Sequence, residues 1–194
     1  MRLRALFISD VYFPRVNGVS TSVAVFRREL AAHGVDVTLV APAYAAETGE
    51  PGIRRVAGRP VPFDPEDRYV PARRLAAAAA GAAPDVVHVQ TPFSAHRAGV
   101  ALARRWCVPL VETWHTDFER YFEHYMPFAP AFVARRLARA LARRTAREVD
   151  HLVVPSAAID AGLGALGVDT PRSVVPTGLA PGELGDGDGA RFRA

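Results

Sequence analysis

The stretch "DVVHVQTPFSAHRAGVALARRWCVPLVETWH", Asp85–His115, decides the fold. Its opening, Asp85–Gln90, is β-branched at Val86, Val87 and Val89 and reads as a strand. Pro92 suits the start of a helix, and Pro92–Trp106 carries one. Val108–Val111 is a second apolar strand, which runs into the polar-aromatic cluster Glu112–Asp117. A strand, a helix and a strand of these lengths call for parallel pairing through a right-handed crossover.

The same alternation continues on both sides. Leu3–Ser9 reads as a buried strand, followed by a polar loop with Pro14 and Gly18. Ser20–Gly34 reads as a helix with Ser20 as N-cap. Val23, Phe26 and Leu30 share one face, and Gly34 supplies a left-handed stop. Val35–Ala41 is the next strand. Residues 42–70 are rich in Pro, Gly and charge and read as irregular, with one short strand at Ile53–Val56. Pro71–Ala82 is a helix ending at Gly81, in which the alanine run Ala76–Ala80 is filler. Ala129–Val149 is a long helix, His151–Ser156 a strand, Ser156–Leu166 a helix and Ser173–Gly178 a last short strand.

These elements predict a doubly wound α/β domain over residues 1–180, a mainly parallel sheet with helices on both faces. The Gly/Asp-rich residues 181–194 read as a linker or frayed tail. Ligands of such sheets bind at the carboxyl ends of the strands. That rule points to the loops Asp10–Val19, Thr91–Ser94, Trp114–Tyr125 and Pro155–Ser156.

Composition narrows the function classes. The chain has 194 residues, 49% of them hydrophobic, enough for one compact domain. No segment has the roughly 18 uninterrupted apolar residues of a spanning helix. The apolar run in "MRLRALFISD" is too short for a signal peptide, so a cytoplasmic protein is expected. Cys107 is the only cysteine and looks buried, which excludes a disulfide framework and gives poor support to a cysteine nucleophile. The net charge is +4, too small an excess to argue for nucleic acid.

Four places could carry chemistry. In the first loop, "SDVYFPRVNGVSTS", only Gly18 stands where dinucleotide-binding domains carry G-x-G-x-x-G, so a nucleotide-dependent oxidoreductase is disfavoured. Gly18 serves the turn alone, or it lets backbone N–H groups approach an anion at the helix N-terminus, with Asn17 and Ser20 beside it. In the second loop, Gln90 and Thr91 fall at a strand end, where they could hydrogen-bond a polyhydroxylated ligand. His88 lies further inside and reads as an interior histidine, while His96 on the helix is expected to be exposed. The third place is His115, just past a strand end beside Thr116. It either locks the loop or hydrogen-bonds a ligand at the rim. Tyr121 follows, able to wall an acceptor pocket or to pack the loop. The histidines and acids here lack metal-ligand spacing, and no G-x-S-x-G elbow is present.

The fourth place is the helix "ARRLARALARRTAR", Ala134–Arg147, which holds six arginines. On a helical wheel, Arg135, Arg136, Arg139, Arg143 and Arg147 share an arc with Phe132. Val133, Leu137, Ala140 and Leu141 fall opposite and are expected to face the sheet. The arginine arc is either a solvated surface or a contact for anionic lipid headgroups.

Taken in order, "FISDVYFPRVNGVSTSV", "HGVDVTLVAP", "DVVHVQTPF", "VPLVETWHTDFERY", "VVPSAAI" and "VVPTGL" resemble the N-terminal domain of the family 4 retaining glycosyltransferases of GT-B fold. The branch that glycosylates lipids, including diacylglycerol and phosphatidylinositol, is the most similar in look. The resemblance implies a Rossmann-like acceptor domain that faces a second, nucleotide-sugar domain absent from this chain. It implies transfer of a sugar from a nucleotide-sugar to a hydroxyl acceptor without a metal or other cofactor. His115 would lie against the transferred sugar as the catalytic residue. Gly18, Asn17, Ser20, Gln90, Thr91, Thr116 and Tyr121 would line the donor or acceptor site. Apart from the resemblance, the arginine arc sets the expectation that Phe132, Arg135, Arg139 and Arg143 contact the inner face of an anionic membrane. The family's donor-side residues lie beyond "VPTGL" and are not in this sequence, so the chain alone is expected to be inactive, as an excised domain or a truncated product. The competing expectation is a stand-alone α/β binding or regulatory module.

Overall fold

The computed structural model describes residues 2–45, 49–62, 64–115 and 130–178. In chain order the elements are β1 (Arg4–Ile8), α1 (Gly18–Ala32), β2 (Asp36–Ala43), β3 (Ile53–Ala57), β4 (Arg59–Val61), β5 (Asp64–Tyr69), α2 (Ala72–Ala78), β6 (Val86–Val89), α3 (Ser94–Trp106), β7 (Leu110–Thr113), α4 (Ala131–Arg147), β8 (His151–Val154), α5 (Ala157–Ala165) and β9 (Arg172–Val174). Seven strands form one sheet in the order β3-β2-β1-β6-β7-β8-β9. Every pairing in it is parallel, with Phe7 of β1 opposite both Leu39 and His88. The expected doubly wound α/β class is the one observed.

The strand order reverses between β1 and β6, which leaves the loops after those strands splayed around a crevice. Alternation along β1 divides the core. Leu6 and Ile8 join Val87, Val89, Leu110 and Leu152 on one side of the sheet, under α2, α3 and α4. Ala5 and Phe7 join Leu39 and Val23 on the other side, under α1. Gly99 lets α3 lie hard against the sheet, since a Cβ there would come within 2.3 Å of Val89 Cγ1. Gly99→Ala is therefore expected to cost roughly 1–3 kcal/mol through overpacking, read from urea unfolding. An unchanged midpoint would mean that the contact yields without strain.

Several expectations change. Helix α1 begins at Gly18, and its N-cap is Asn17, whose side chain accepts from the Ser20 N–H. Ser20 is buried inside the first turn and donates its hydroxyl to the Arg15 carbonyl. An asparagine three residues before an N–H that points out of the helix has the usual capping geometry, so Asn17 takes the role assigned to Ser20. Gly34 does take the left-handed conformation, with φ of 82°. Helix α3 starts at Ser94, two residues later than Pro92. Residues 42–70 are less irregular than their composition suggests. β2 runs on to Ala43, and β4 and β5 form an antiparallel hairpin. Cys107 is exposed, in the left-handed region at the end of α3, not buried.

Helix α4 is rotated from the expected orientation. Ala138, Ala142, Thr145 and Ala146 are buried, whereas Leu137 is 46% exposed and Phe132 72% exposed. A stripe of small residues lets the helix approach closely, and that contact outweighs burial of the larger Leu137. The predicted tail lies outside the described residues.

Candidate functional site

The crevice at the strand-order reversal is closed by one latch. The Thr91 hydroxyl donates to Asp10 Oδ2 at 2.7 Å, and the Asp10 N–H donates to Thr91 Oγ1 at 2.8 Å. The Asp10 carboxylate also accepts from the Ala95 N–H in the first turn of α3. Helix α3 has no side-chain cap of its own, so a residue from the loop after β1 caps it across the crevice. Burial pushes the Asp10 carboxyl up to about 6, although these hydrogen bonds pull the other way. Farther along the same loop, Arg15 pairs with Asp64 and Asp67 of the hairpin at 3.5 and 3.2 Å, and with Glu66. The loop that leads into α1 is thus tied at both ends.

Gln90 and Thr91, adjacent in sequence, leave on opposite sides of the sheet. Thr91 goes to Asp10. Gln90 is fully buried and meets His115, with 3.3 Å between Gln90 Oε1 and His115 Nε2. His115 is half-buried, and burial lowers its pKa to about 4. The imidazole is therefore neutral near pH 7, a hydrogen-bonding group rather than a positive charge. Among the described residues Gln90 Nε2 has no hydrogen-bond partner, a buried donor held beside the imidazole. His88 stands below the pair as the interior histidine expected from its place in the strand. Its Nε2 is 2.7 Å from Thr113 Oγ1, its ring meets Phe7 edge-on, and burial lowers its pKa to about 3.

Gly18 occupies the first helical position without a left-handed φ, and a Cβ built there meets nothing within 4 Å. The turn does not need this glycine. What the glycine provides is an uncovered first turn with Ser20 packed beneath it. Gly18→Ala is expected to leave the fold as stable or up to ~1 kcal/mol more stable, read by thermal melting. A drop in melting temperature would mean that the glycine is required by the fold. Thr116 and Tyr121 lie outside the described residues.

On the α3 side a cavity of about 700 Å³ opens between the first turn of α3, the β4–β5 hairpin and the C-terminal half of α4. His96 lines its wall, and it is not exposed as its place on a helix suggested: it is 4% exposed. Its Nδ1 lies 2.8 Å from Glu112 Oε2 on β7, and its Nε2 lies 2.9 Å from Glu148 Oε2 at the end of α4. Arg144 in turn donates to Glu148 Oε1. Burial alone would lower the His96 pKa, but hydrogen bonds and charge from Glu112 and Glu148 raise it overall. The Glu112 carboxyl is pushed up by burial, and the Glu148 carboxyl is held down by the His96 hydrogen bond. An imidazolium donating from both nitrogens to two carboxylates satisfies these contacts, and it pins α3, β7 and α4 together. Sequence reasoning missed this array because its members lie on three elements; only the unusual Glu112 inside an apolar strand signalled it.

Of the residues assigned to membrane contact, Phe132 is exposed and Arg143 is bound to the Leu166 carbonyl. Arg135 and Arg139 lie on the outer side of α4. Among the described residues no helix is long and apolar enough to cross a membrane. No group of three or more His, Cys, Asp or Glu is placed to hold a metal ion, again among the described residues.

The family model for Glycosyltransferase Family 4 matches residues 16–182. The alpha-monoglucosyldiacylglycerol synthase of Streptococcus pneumoniae is 30% identical over 182 residues, 91% of this chain and 41% of that protein. The GDP-mannose-dependent alpha-mannosyltransferase of Mycobacterium tuberculosis is 33% identical over 123 residues, 59% of this chain and 32% of that protein. Among solved structures, sucrose-phosphate synthase from Thermosynechococcus elongatus superimposes with a TM-score of 0.64 at 16% identity, over 92% of this chain and 49% of that one. The catalytic domain of Arabidopsis thaliana starch synthase IV does so with a TM-score of 0.55 at 12% identity, over 92% and 52%. The chain thus spans less than half the length of the curated relatives it matches.

Proposed function

The chain belongs to glycosyltransferase family 4, and from that premise we propose that it is the acceptor-side half of a retaining, metal-independent sugar transferase. The donor is a nucleotide-sugar held mainly by a second domain. The acceptor is a hydroxyl on a lipid, inositol-type or glycan molecule. The observation that carries the reading is that a neutral His115, the uncovered first turn of α1 and the cavity residues Asp10 and Thr91 all follow the carboxyl ends of the parallel strands β7, β1 and β6, beside a cavity large enough for a ligand headgroup.

The chemistry follows from these positions. The uncovered turn of α1 offers backbone N–H groups to the donor diphosphate, whose charge grows as it departs. His115, neutral and braced by Gln90, hydrogen-bonds a hydroxyl of the transferred sugar and fixes its orientation. The cavity on the other side of the rim takes the acceptor. Asn17, Ser20, Thr91 and the amide oxygen of Gln90 are engaged within the protein and shape the groups that touch ligand, while Gln90 Nε2 stays an unpaired donor among the described residues. Thr116 and Tyr121, outside the described residues, are assigned to donor or acceptor binding on the resemblance alone.

Peripheral contact with an anionic membrane at the cytoplasmic face fits the outer side of α4, where Phe132 and Leu137 project among Arg135 and Arg139. Such contact would bring a lipid acceptor to the cavity.

The test compares the 194-residue chain with the same chain joined to a family donor-binding half, using radiolabelled nucleotide-sugars and lipid acceptors. Transfer with retention of configuration is expected only from the joined protein. Equal turnover by the chain alone would refute the division of labour.

A further inference from the structure

Resting on the reading of the cavity as the acceptor pocket, we infer that its ligand is a phosphate-bearing amphiphile, with the phosphate on Arg59 and Arg97 and the apolar part against the apolar side chains of the lining. The argument is one of charge. Three carboxylates line the cavity, and each is answered within the protein. Asp10 accepts from Thr91 and the Ala95 N–H, Asp67 pairs with Arg15, and Glu148 is held by His96 and Arg144. Two of the four arginines are answered as well. Arg144 meets Glu148, while Arg68 donates to the carbonyls of Pro65 and Asp67 and stacks over Tyr44.

Arg59 on the hairpin and Arg97 on α3 remain. Among the described residues neither guanidinium makes a hydrogen bond or ion pair, and both line the cavity. The unmatched charge of the pocket is therefore positive. The ordinary place for an anion, the N-terminus of α3, is already filled by the Asp10 carboxylate, so an incoming anion is left to these two guanidinium groups. Val11, Val61, Pro62, Phe93 and Leu141 supply the apolar wall. A neutral diglyceride would leave both exposed guanidinium groups to water, and a bare polyol would leave the apolar side chains wet.

A phosphate ester can come from a phospholipid headgroup or from a soluble sugar or polyol phosphate; the apolar wall favours the phospholipid. The experiment titrates the ¹⁵N-labelled 194-residue chain with four probes: dihexanoylphosphatidylglycerol below its micelle concentration, dihexanoylglycerol, glycerol phosphate and inorganic phosphate. The phospholipid is expected to shift resonances of the cavity residues and to bind roughly tenfold or more tighter than the other probes. The R59Q/R97Q variant should abolish that advantage while its circular dichroism and melting stay unchanged, since these exposed side chains hold no partner among the described residues. An R104Q variant, outside the cavity, should bind as the parent does.

Dihexanoylglycerol binding equally well, with no effect of R59Q/R97Q, would overturn the phosphate assignment and leave the acceptor reading standing. Glycerol phosphate or inorganic phosphate matching the phospholipid would overturn the amphiphile part. No response of the cavity to any probe would overturn both the inference and the acceptor reading on which it rests.

Discussion

His96→Leu is expected to remove about 3 kcal/mol of stability at neutral pH, the free energy of protonating an ordinary carboxyl under those conditions. The leucine fills the space but leaves Glu112, 1% exposed, with no counter-charge. A buried carboxylate in that position takes up a proton rather than remain ionised, and the folded state bears the difference from its ordinary pKa of 4.5. The loss should therefore depend on pH. It should shrink as the pH falls toward 4.5, where the unfolded chain also protonates this group.

In the parent protein the signs are different. The His96 pKa is raised, so its contribution is complete below its ordinary value of 6.5 and fades as the pH climbs through its folded value. The Glu148 pKa is lowered, so its contribution is present above 4.5 and is lost as the pH falls through its folded value. The array is strongest between those limits. Urea unfolding of the parent, His96→Leu and His96→Leu/Glu112→Leu across pH 4 to 9 checks the account. The double variant should recover most of the loss, because an apolar pair replaces the orphaned acid. A pH-independent loss in the single variant would show that only packing had changed.

His115→Ala, made in the chain joined to a donor-binding half, is expected to lower kcat roughly 100- to 1,000-fold. On the proposed role, the loss arises because a neutral imidazole braced on a buried amide is prearranged to meet the sugar, and water in its place must be ordered at the moment of reaction. Melting should move little, since His115 is only half-buried and, among the described residues, its only side-chain hydrogen bond is the 3.3 Å contact with Gln90. Gln90→Leu should reproduce part of the kinetic loss by freeing the ring. Turnover unchanged in His115→Ala would remove the assigned role.

The fold could be read from sequence because each parallel strand here is a short apolar run and each crossover helix has its own apolar face. Those are local properties. The β4–β5 hairpin was hidden because its strands are charged, proline-bearing and exposed, with almost no alternation to detect. The rim loops were predictable from topology alone, and so was the interior place of His88. What could not be read was which polar residue answers which. A helical wheel places His96 on a helix without showing that Glu112 and Glu148 converge on it. It likewise orients α4 by its leucines, although the close fit of its alanines fixes the rotation. Asn17 against Ser20 is the same problem on a smaller scale: both residues can cap, and the path of the loop at Arg15 decides between them.

After β9 the chain does not leave from the far edge of the sheet. It turns back over α1, where the Thr177 hydroxyl reaches Ser22 Oγ at 3.4 Å and a side chain at Gly178 would touch Val25. Any polypeptide attached beyond Gly178 starts its path beside the rim that holds Gly18. Such a tether keeps a joined module close to that rim, at an effective concentration in the millimolar range for a short flexible link. The two halves of a transferase built this way could meet through weak, reversible contacts, and opening and closing over each substrate would then be the natural behaviour of the pair.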